Sequence, residues 1–323
     1  MNSWFQAFRT RVLFAFSTAA VVLAGAVLAT PARAQGPSPE AAPTLFPGGA
    51  YVSYNSVFES RELVPGSVAN PTAPTARPTL VHEAIFRFGW GFRRDFQLAT
   101  EIPIATRHFV TPGATVGGTG LGDLTLLLKY RFFRRDSQRG TTQVSFTVGP
   151  KLPTGRTNLR DASGRLLPVP LQPGSGSTDV MFRCDATYTG LFHIKRLVAD
   201  ESLSYWFRTE GSQQFRLGRT FESRFWLSYR PYQTRLVDKE WFIGPTLTWR
   251  HAERDRLAGA ALPVSGGDVL APGLTTYFSP MPGLHLWFGA EFPAVQSRNG
   301  APTRVAQWFS FGITRQFRIP GPR

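Results

Sequence analysis

Residues 118–135 read GTGLGDLTLLLKYRFFRR, a glycine-rich segment that leads into an alternating apolar and polar run. Successive side chains of a strand point to opposite faces of the sheet. One face would therefore carry Leu124, Leu126, Leu128, Tyr130 and Phe132, and the other Asp123, Thr125, Leu127, Lys129 and Arg131. The apolar face ends in aromatic residues and then two arginines, as in a strand that passes from lipid through an aromatic girdle into water. The stretch predicts a transmembrane β-strand.

Segments with the same alternation recur along the chain. They are residues 49–58, 80–92, 96–107, 118–135, 142–152, 178–188, 197–207, 214–229, 241–251, 267–278, 283–294 and 304–317. Most are long enough for a tilted strand to cross a bilayer, and in lipid the sheet must close because its edge cannot stay unpaired. We therefore predict an all-β protein, a single antiparallel transmembrane β-barrel of about twelve strands at residues 48–317. Residues 190–213 could hold one strand or none, and the even count depends on them.

The connections between these segments alternate in length. Short turns are predicted near residues 93–95, 135–140, 190–196, 231–239 and 279–283, and mostly longer loops at 61–79, 108–119, 153–177, 252–266 and 295–303. Bacterial barrels have short periplasmic turns and longer extracellular loops, which puts both termini in the periplasm. The connection at 209–213 is an exception because it is short.

The N-terminus has the features of an export signal. A positive region precedes a largely apolar run at residues 12–29, and Ala-Arg-Ala at 32–34 forms a small–x–small cleavage pattern. We predict that residues 1–34 are a signal peptide, cleaved between Ala34 and Gln35. A retained anchor is the alternative, because the apolar run is longer than a usual signal core.

The two ends of the mature chain flank the barrel. Residues 35–47 are rich in proline and alanine and are predicted to be an unstructured periplasmic segment. Barrel proteins commonly end their last strand on an aromatic residue, and Phe317 fits that position. Residues 318–323 form a short C-terminal tail beyond it.

Composition excludes several protein classes. Charged residues are 18% of the chain, too few for a disordered protein. The net charge of +15 is spread along alternating strands without a long Lys/Arg run or a zinc or helix-turn-helix pattern, so nucleic acid is not an expected partner. We attribute it to a basic lumen, or to basic loops near anionic lipid. Cys184 is the only cysteine, which excludes an intrachain disulfide, and its parity makes it a small apolar residue facing lipid.

Charged side chains on the inward parity are the candidate pore-lining residues. An inward charge needs water or a partner, so these residues either brace the wall as pairs or line a water-filled pore, in which basic rings would favour anions. Both interpretations can hold together. The candidates are Arg87, Glu101, Asp123, Lys129, Arg131, Lys151, Asp179, Arg183, Asp185, Arg216, Glu222 and Arg224.

Motifs for catalysis and cofactors are weak. The five histidines are dispersed, with no His-x-x-x-His or His/Cys pair, so neither a metal nor another cofactor is expected. His251 and Ser265 flank one loop and are the residues from which a membrane-embedded hydrolase would be built. The glycines of residues 117–122 are not followed by Gly-Lys-Ser/Thr, which favours a flexible loop over a phosphate site.

Three short motifs resemble those of a known family, in the same order. They are GLGDLT at residues 120–125, continuing to KYRF at 129–132, KLPTGR at 151–156 and PGSGSTD at 173–179. They are similar to a bacterial outer-membrane family described as the MetA-pathway of phenol degradation, and the resemblance covers roughly residues 80–317. It implies a channel for small, often hydrophobic or aromatic compounds, without identifying the solute.

The sequence thus predicts a passive channel in the outer membrane of a Gram-negative-type bacterium. Small solutes, aromatic or anionic ones among them, would diffuse through a lumen whose charges and loops set selectivity. The lumen of a twelve-strand barrel would be narrow, or closed by residues 153–177 folding inward. The alternatives are a structural or adhesive surface barrel with a blocked lumen, and a membrane-embedded hydrolase. Expected partners are outer-membrane lipid, periplasmic chaperones and the barrel-assembly machinery.

Overall fold

Twelve long antiparallel strands form a closed barrel in the computed structural model, which describes residues 41–64, 78–111, 114–233, 239–297 and 299–319. Each strand pairs with the next along the chain, and the last pairs with the first, where Gly49 lies opposite Arg318. The strands are β1 Gly49–Leu63, β2 Leu80–Arg93, β3 Phe96–Thr111, β4 Thr125–Asp136, β5 Thr141–Lys151, β6 Asp179–Thr189, β7 Leu197–Phe207, β8 Thr220–Gln233, β9 Glu240–Ala252, β10 Gly267–Met281, β11 Leu284–Glu291 and β12 Thr303–Arg318.

The predicted fold class is confirmed. Each of the twelve predicted segments overlaps one barrel strand, and β7 is present, so the strand count is even. In the described part of the chain, no helix has both the length and the apolar character to cross a membrane. The helical segments described there are short 3-10 turns, at Val169–Leu171, Leu191–His193 and Ser212–Gln214.

The strand predicted at residues 118–135 is interrupted. A short strand, Ala114–Leu121, pairs with the C-terminal half of β3, residues 104–111. Strand β4 begins only at Thr125 and pairs with the N-terminal part of β3, residues 96–101. Between them, Asp123 is buried and bonded to residues of the loop after β5. The break therefore arises from a polar contact that the alternation pattern does not contain.

The strand predicted at residues 214–229 begins later than expected. Phe215–Arg216 instead joins Arg256–Leu257 and Ala260–Ala261 in a small sheet beyond the barrel. At Gly218 the backbone passes so close to the next loop that a Cβ would lie 1.9 Å from the Glu253 carbonyl oxygen. The connection between β7 and β8 is consequently longer than predicted, so it is no longer an exception among the loops at that end.

The two ends of the barrel differ as the sequence predicted. Short turns at residues 94–95, 137–140, 190–196 and 282–283 lie at the end that carries both chain ends. Longer connections, including 152–178 and 253–266, lie at the other end. Short periplasmic turns are typical of outer-membrane barrels, so the first is the periplasmic end and the second the extracellular end.

Side chains alternate between lipid and lumen along β4. Leu126 and Phe132 are 42% and 53% exposed on the outer face, whereas the inward Lys129 and Arg131 are 6% and 7% exposed. Near the periplasmic turns, outward aromatic rings contact one another, including a stack of Phe96 on Tyr130 with centroids 4.5 Å apart. The apolar band and its aromatic girdle match the surface of an outer-membrane barrel.

Not every prediction about the chain ends lies within the described residues. The signal peptide at 1–34, the cleavage site at Ala34 and Gln35, and residues 35–40 and 320–323 lie outside them. Residues 41–47 are described and lie inside the barrel, not in an unstructured periplasmic segment. Ala42 is fully buried and Leu45 is 1% exposed.

Replacing an outward residue of β4 should destabilise the barrel. We expect Leu126→Arg to lower the free energy of unfolding by about 2–4 kcal/mol, because an arginine near the bilayer midplane must leave water. Denaturant unfolding in phospholipid vesicles measures this. Phe192→Arg is the control, since Phe192 is 77% exposed in a periplasmic turn and should tolerate the charge. Equal stability of the two variants would contradict the assignment of the outer face.

Candidate functional site

The barrel lumen contains a succession of three cavities in its described part. A vestibule of about 230 Å³ lies at the extracellular side, a central chamber of about 310 Å³ follows, and a periplasmic cavity of about 70 Å³ lies beyond it. Arg250 and Trp308 line both the vestibule and the central chamber, and Arg87 lines both the chamber and the periplasmic cavity. These residues therefore lie at the two constrictions between the cavities.

Charged residues in the lumen form arginine–carboxylate pairs. Several pairs join neighbouring strands, because the barrel register places Arg87 opposite Glu101 and Glu222 opposite Arg250. The N–O distances are 2.6 Å for Arg87–Glu101, 3.0 Å for Arg107–Glu83, 2.7 Å for Arg224–Glu291 and 2.7 Å for Arg250–Glu222. Pairing offsets the desolvation of each charge. The lumen is thus braced by ion pairs and differs from the basic wall that the sequence suggested.

The constriction between vestibule and chamber is built around Trp308. The Arg250 guanidinium lies over its ring, 4.5 Å from the centroid, and its indole N–H donates to Glu59 Oε2 at 2.8 Å. Glu59 also accepts a hydrogen bond from Arg61. An aromatic plane held by charged neighbours from two other strands, β1 and β9, gives this constriction a defined shape.

The floor of the central chamber is aromatic. Val198, Trp226, Phe242 and Tyr277 form a buried cluster, with Trp287 packed against it. These residues come from β7 to β11, one from each strand. Trp226 and Trp287 line the chamber, whereas Tyr277 lines the periplasmic cavity, so the cluster separates the two. Sequence reasoning missed this layer because it expected inward residues to be polar, although Trp226 shares the parity of Arg224.

The periplasmic end of the lumen is occupied by the chain's own N-terminal segment, residues 41–47. The Ala41 carbonyl accepts a hydrogen bond from Lys129, and the Ala42 N–H donates to Thr187 Oγ1 at 3.0 Å. The Leu45 N–H donates to Gln97 Oε1 at 3.2 Å. The segment is therefore bonded to three different strands, and we call it the N-terminal plug.

At the extracellular end, a buried ion cluster holds the loop at residues 152–178. Lys151 Nζ lies 2.8 Å from Asp123 Oδ2 and 2.9 Å from Asp179 Oδ2, and Arg208 Nη1 also lies 2.9 Å from Asp179 Oδ2. Asp123 accepts hydrogen bonds from the Gly155 and Ser175 N–H groups, each at 2.9 Å. We call these residues, with Ser177 beside Lys151, the loop latch.

Two glycines allow the loop to approach Asp123. A Cβ on Gly155 would lie 2.7 Å from Gly174 Cα, and a Cβ on Gly174 would lie 2.6 Å from the Gly155 carbonyl carbon. Contacts this short leave no room for a side chain at either position. The motifs at residues 120–125, 151–156 and 173–179 therefore meet at one carboxylate.

Beyond the latch, the loop folds over the mouth of the barrel. Leu167 and Leu171 pack on the inward Phe109 of β3, and all three are buried. The Arg107 Nη1 group donates to the Gln172 carbonyl at 3.0 Å. The loop thus narrows the extracellular entrance, in the inward position that the sequence suggested.

The candidate pore-lining residues fall into distinct places. Lys129, Arg183 and Glu101 line the periplasmic cavity with Arg87, and Glu222 and Arg224 line the chamber. Asp185 is fully buried between Lys129 and Arg183, and Arg131 bonds Asp95 and Gln143 near the periplasmic turns. Asp123, Lys151 and Asp179 belong to the loop latch. Arg216 lies in the small extracellular sheet, because the barrel strand starts after it.

Several lumen residues were not among the candidates. Glu59, Asp200, Arg250 and Glu291 all line the central chamber. Each takes the inward parity of its strand, so the alternation pattern contained the signal. Which inward charge borders a cavity depends on the packing of the whole lumen.

The residues considered for a hydrolase are not brought together. His251 Nδ1 lies 2.8 Å from Asp268 Oδ1, on the outward parity of Leu247 and Trp249. Ser265 lines the vestibule, where its hydroxyl donates to the Leu262 carbonyl. In the described ranges, no group of three or more His, Cys, Asp or Glu side chains is placed to hold a metal ion.

Two single residues lie where their sequence pattern put them. Cys184 is a free thiol opposite Phe146 on the outward parity of β6. Phe317 pairs with Ala50 near the periplasmic end of β12. Its recognition by the assembly machinery stays a prediction.

A family model described as the MetA-pathway of phenol degradation matches residues 49–309. The chain belongs to this family. The match spans the barrel from β1 into β12 and includes all three motifs of the loop latch.

Among solved structures, the chain is similar to an outer membrane channel from Pseudomonas putida F1. The identity is 14%, the TM-score is 0.60, and the match covers 88% of this chain and 100% of that one. The beta domain of the Bordetella autotransporter BrkA (11% identity, TM-score 0.48, 84% and 100% covered) and the KdgM porin (9%, 0.41, 82% and 99%) are more distant. A search of curated protein sequences gave no match. At these identities the first similarity supports the barrel fold.

The loop latch generates a prediction about the mouth. Asp123→Ala removes a carboxylate that accepts several hydrogen bonds, each worth about 1.5–3 kcal/mol when a charge is involved. We expect trypsin to cleave after Arg156, Arg160 and Arg165 at least about tenfold faster, because the loop opens more often. Asp136→Ala, at an exposed periplasmic position, is the control. Unchanged cleavage in a folded Asp123→Ala barrel would show that the latch does not hold the loop.

Proposed function

We propose that the protein is a passive outer-membrane channel for small solutes, narrowed at the mouth by the loop at residues 152–178 and closed on the periplasmic side by the N-terminal plug. The observation that carries this proposal is the succession of three cavities that share Arg250, Trp308 and Arg87 as lining residues. A barrel filled for structural purposes alone would not need a row of cavities that share lining residues along its lumen. The similarity to the Pseudomonas putida channel supports the same function.

The described contacts favour a gated channel over a wide pore. A cavity of about 70 Å³ remains beside the plug, which is too small for most metabolites. The described plug is held by few hydrogen bonds, worth roughly 0.5–1.5 kcal/mol each between neutral groups and about 1.5–3 kcal/mol for the one from Lys129. Its release is therefore within the range of a conformational change. Small aromatic compounds, which the family description suggests, would find ring partners in the chamber floor.

The second candidate is a surface barrel with a permanently blocked lumen. The aromatic floor and the N-terminal plug favour it, because together they obstruct the path below the central chamber. Conductance separates the two functions. A hydrolase has less support, since Ser265 and His251 face different sides of the wall.

A reversible crosslink tests whether the plug closes the channel. In a Cys184→Ser background, Ala42→Cys and Thr187→Cys place two thiols where the segment contacts β6, because the Ala42 N–H and Thr187 Oγ1 lie 3.0 Å apart. We expect low single-channel conductance in planar bilayers when the pair is oxidised. A reductant should raise it several-fold, towards the conductance of a variant lacking residues 35–47.

The single-cysteine variants are the matched controls and should not respond to the reductant. Absence of channels in both the reduced double-cysteine variant and the deletion variant would overturn the channel proposal and leave the blocked barrel. Equal conductance of the oxidised and reduced forms would show instead that the plug is not the gate.

A further inference from the structure

Asp200 differs from the other carboxylates at the central chamber. It is 6% exposed on the inward parity of β7, directly across from Trp226 of β8. Its Oδ1 accepts a hydrogen bond from Thr187 Oγ1 at 2.6 Å. Its Oδ2 is buried and has no hydrogen-bond partner among the described residues. A buried acceptor oxygen without a partner is costly and indicates a place for a donor from outside the chain.

Most carboxylates around the chamber have an arginine partner, whereas Asp200 has none among the described residues. Glu59, Glu83, Glu222 and Glu291 each have an arginine at ion-pair distance, and they account for the other inward carboxylates of the described lining. Glu201 also borders the chamber, but it lies on the outward parity of its strand and accepts a hydrogen bond from Ser223 at 2.8 Å.

Lys129 is a basic residue whose charge acts on Asp200. Lys129 is shared with the Ala41 carbonyl and with Asp185, whose Oδ2 lies 3.5 Å from Nζ. No arginine is at ion-pair distance from Asp200 in the described ranges. The chamber therefore has an unmatched negative group at its floor.

The aromatic floor adds a second feature to the same place. Trp226, directly across from Asp200, and Trp287 both line the chamber. Their indole N–H groups are already bonded to the Gly244 carbonyl and to Asn55. The ring faces of the two tryptophans remain available to a solute. Aromatic faces attract cations, and a carboxylate beside such a face attracts them further. A chamber of about 310 Å³ is at the small end of ligand pockets, which suits a compact solute.

We propose that the central chamber is a binding site for small organic cations. The ammonium group of the solute binds Asp200 Oδ2, and its apolar or aromatic body lies against Trp226 and Trp287. The inference rests on the proposed channel function, for which it names the solute class. It replaces the anion preference that the basic composition suggested, because the basic residues of the lumen are held by carboxylates.

Equilibrium binding tests this site without requiring conduction. The signal-cleaved protein in detergent is titrated calorimetrically, at mildly alkaline pH where carboxylates are ionised, with phenethylamine, 2-phenylethanol and phenylacetate. The three probes share one apolar body and differ in charge. We expect phenethylamine to bind most tightly. Asp200→Asn should weaken its binding by about tenfold or more, because a charged hydrogen bond is lost while the acceptor for Thr187 is kept.

Asp268→Asn is the matched control, since it removes an aspartate on the outer face, paired with His251, and should leave binding unchanged. Equal affinity for the three probes, tighter binding of phenylacetate, or an unaffected Asp200→Asn protein would overturn the proposal. The ranking of the probes is measured on the unmodified chain, so it holds even where a variant fails to fold. Loss of conductance with retained amine binding would refute the channel but not the site.

Discussion

The constraint on which the structure depends is that hydrocarbon offers no partner to a backbone N–H or C=O group. A sheet in lipid must therefore close, and here closure is made by β1 and β12, from Gly49 opposite Arg318 to Leu63 opposite Thr303. Closure gives every strand one lipid side and one lumen side. The apolar residues then form the outer band, and nearly every polar residue within the membrane has only the lumen to occupy.

A narrow lumen filled in this way brings charges close together, and their pairing determines its shape. Arg87 and Arg250 each pair with a carboxylate on the adjacent strand, and both lie at constrictions between the cavities. The bracing and pore-lining interpretations of the inward charges are therefore not alternatives, because the same ion pairs support the wall and bound the cavities. Asp200 stands apart, since Lys129, whose charge acts on it, is held by the N-terminal plug and Asp185.

The barrel was predictable from sequence because the alternation of side chains is a local property: residues i and i+2 of a strand point to the same face of the sheet. What the sequence did not reveal are contacts between distant residues. Lys129 donates a hydrogen bond to Ala41, which is 88 residues away in sequence, and Asp123 accepts one from Ser175, which is 52 residues away. Arg216 was predicted to lie in a barrel strand because the alternating pattern begins before the actual start of β8 at Thr220. The barrel strand is interrupted where the backbone at Gly218 closely approaches the next loop. The residue types of the site were visible, but their partners were not.

The motifs that place the chain in its family describe how the mouth is closed. Asp123, Lys151 and Gly155 come from two of them, and the third supplies Ser175 and Asp179, so together they form one latch. The chamber floor lies outside all three motifs. The match to the family motifs therefore indicates where the loop lies but does not indicate which solute the chamber binds. Selectivity has to be argued from the chamber itself, where Asp200, whose Oδ2 has no hydrogen-bond partner among the described residues, lines the same cavity as two tryptophan rings.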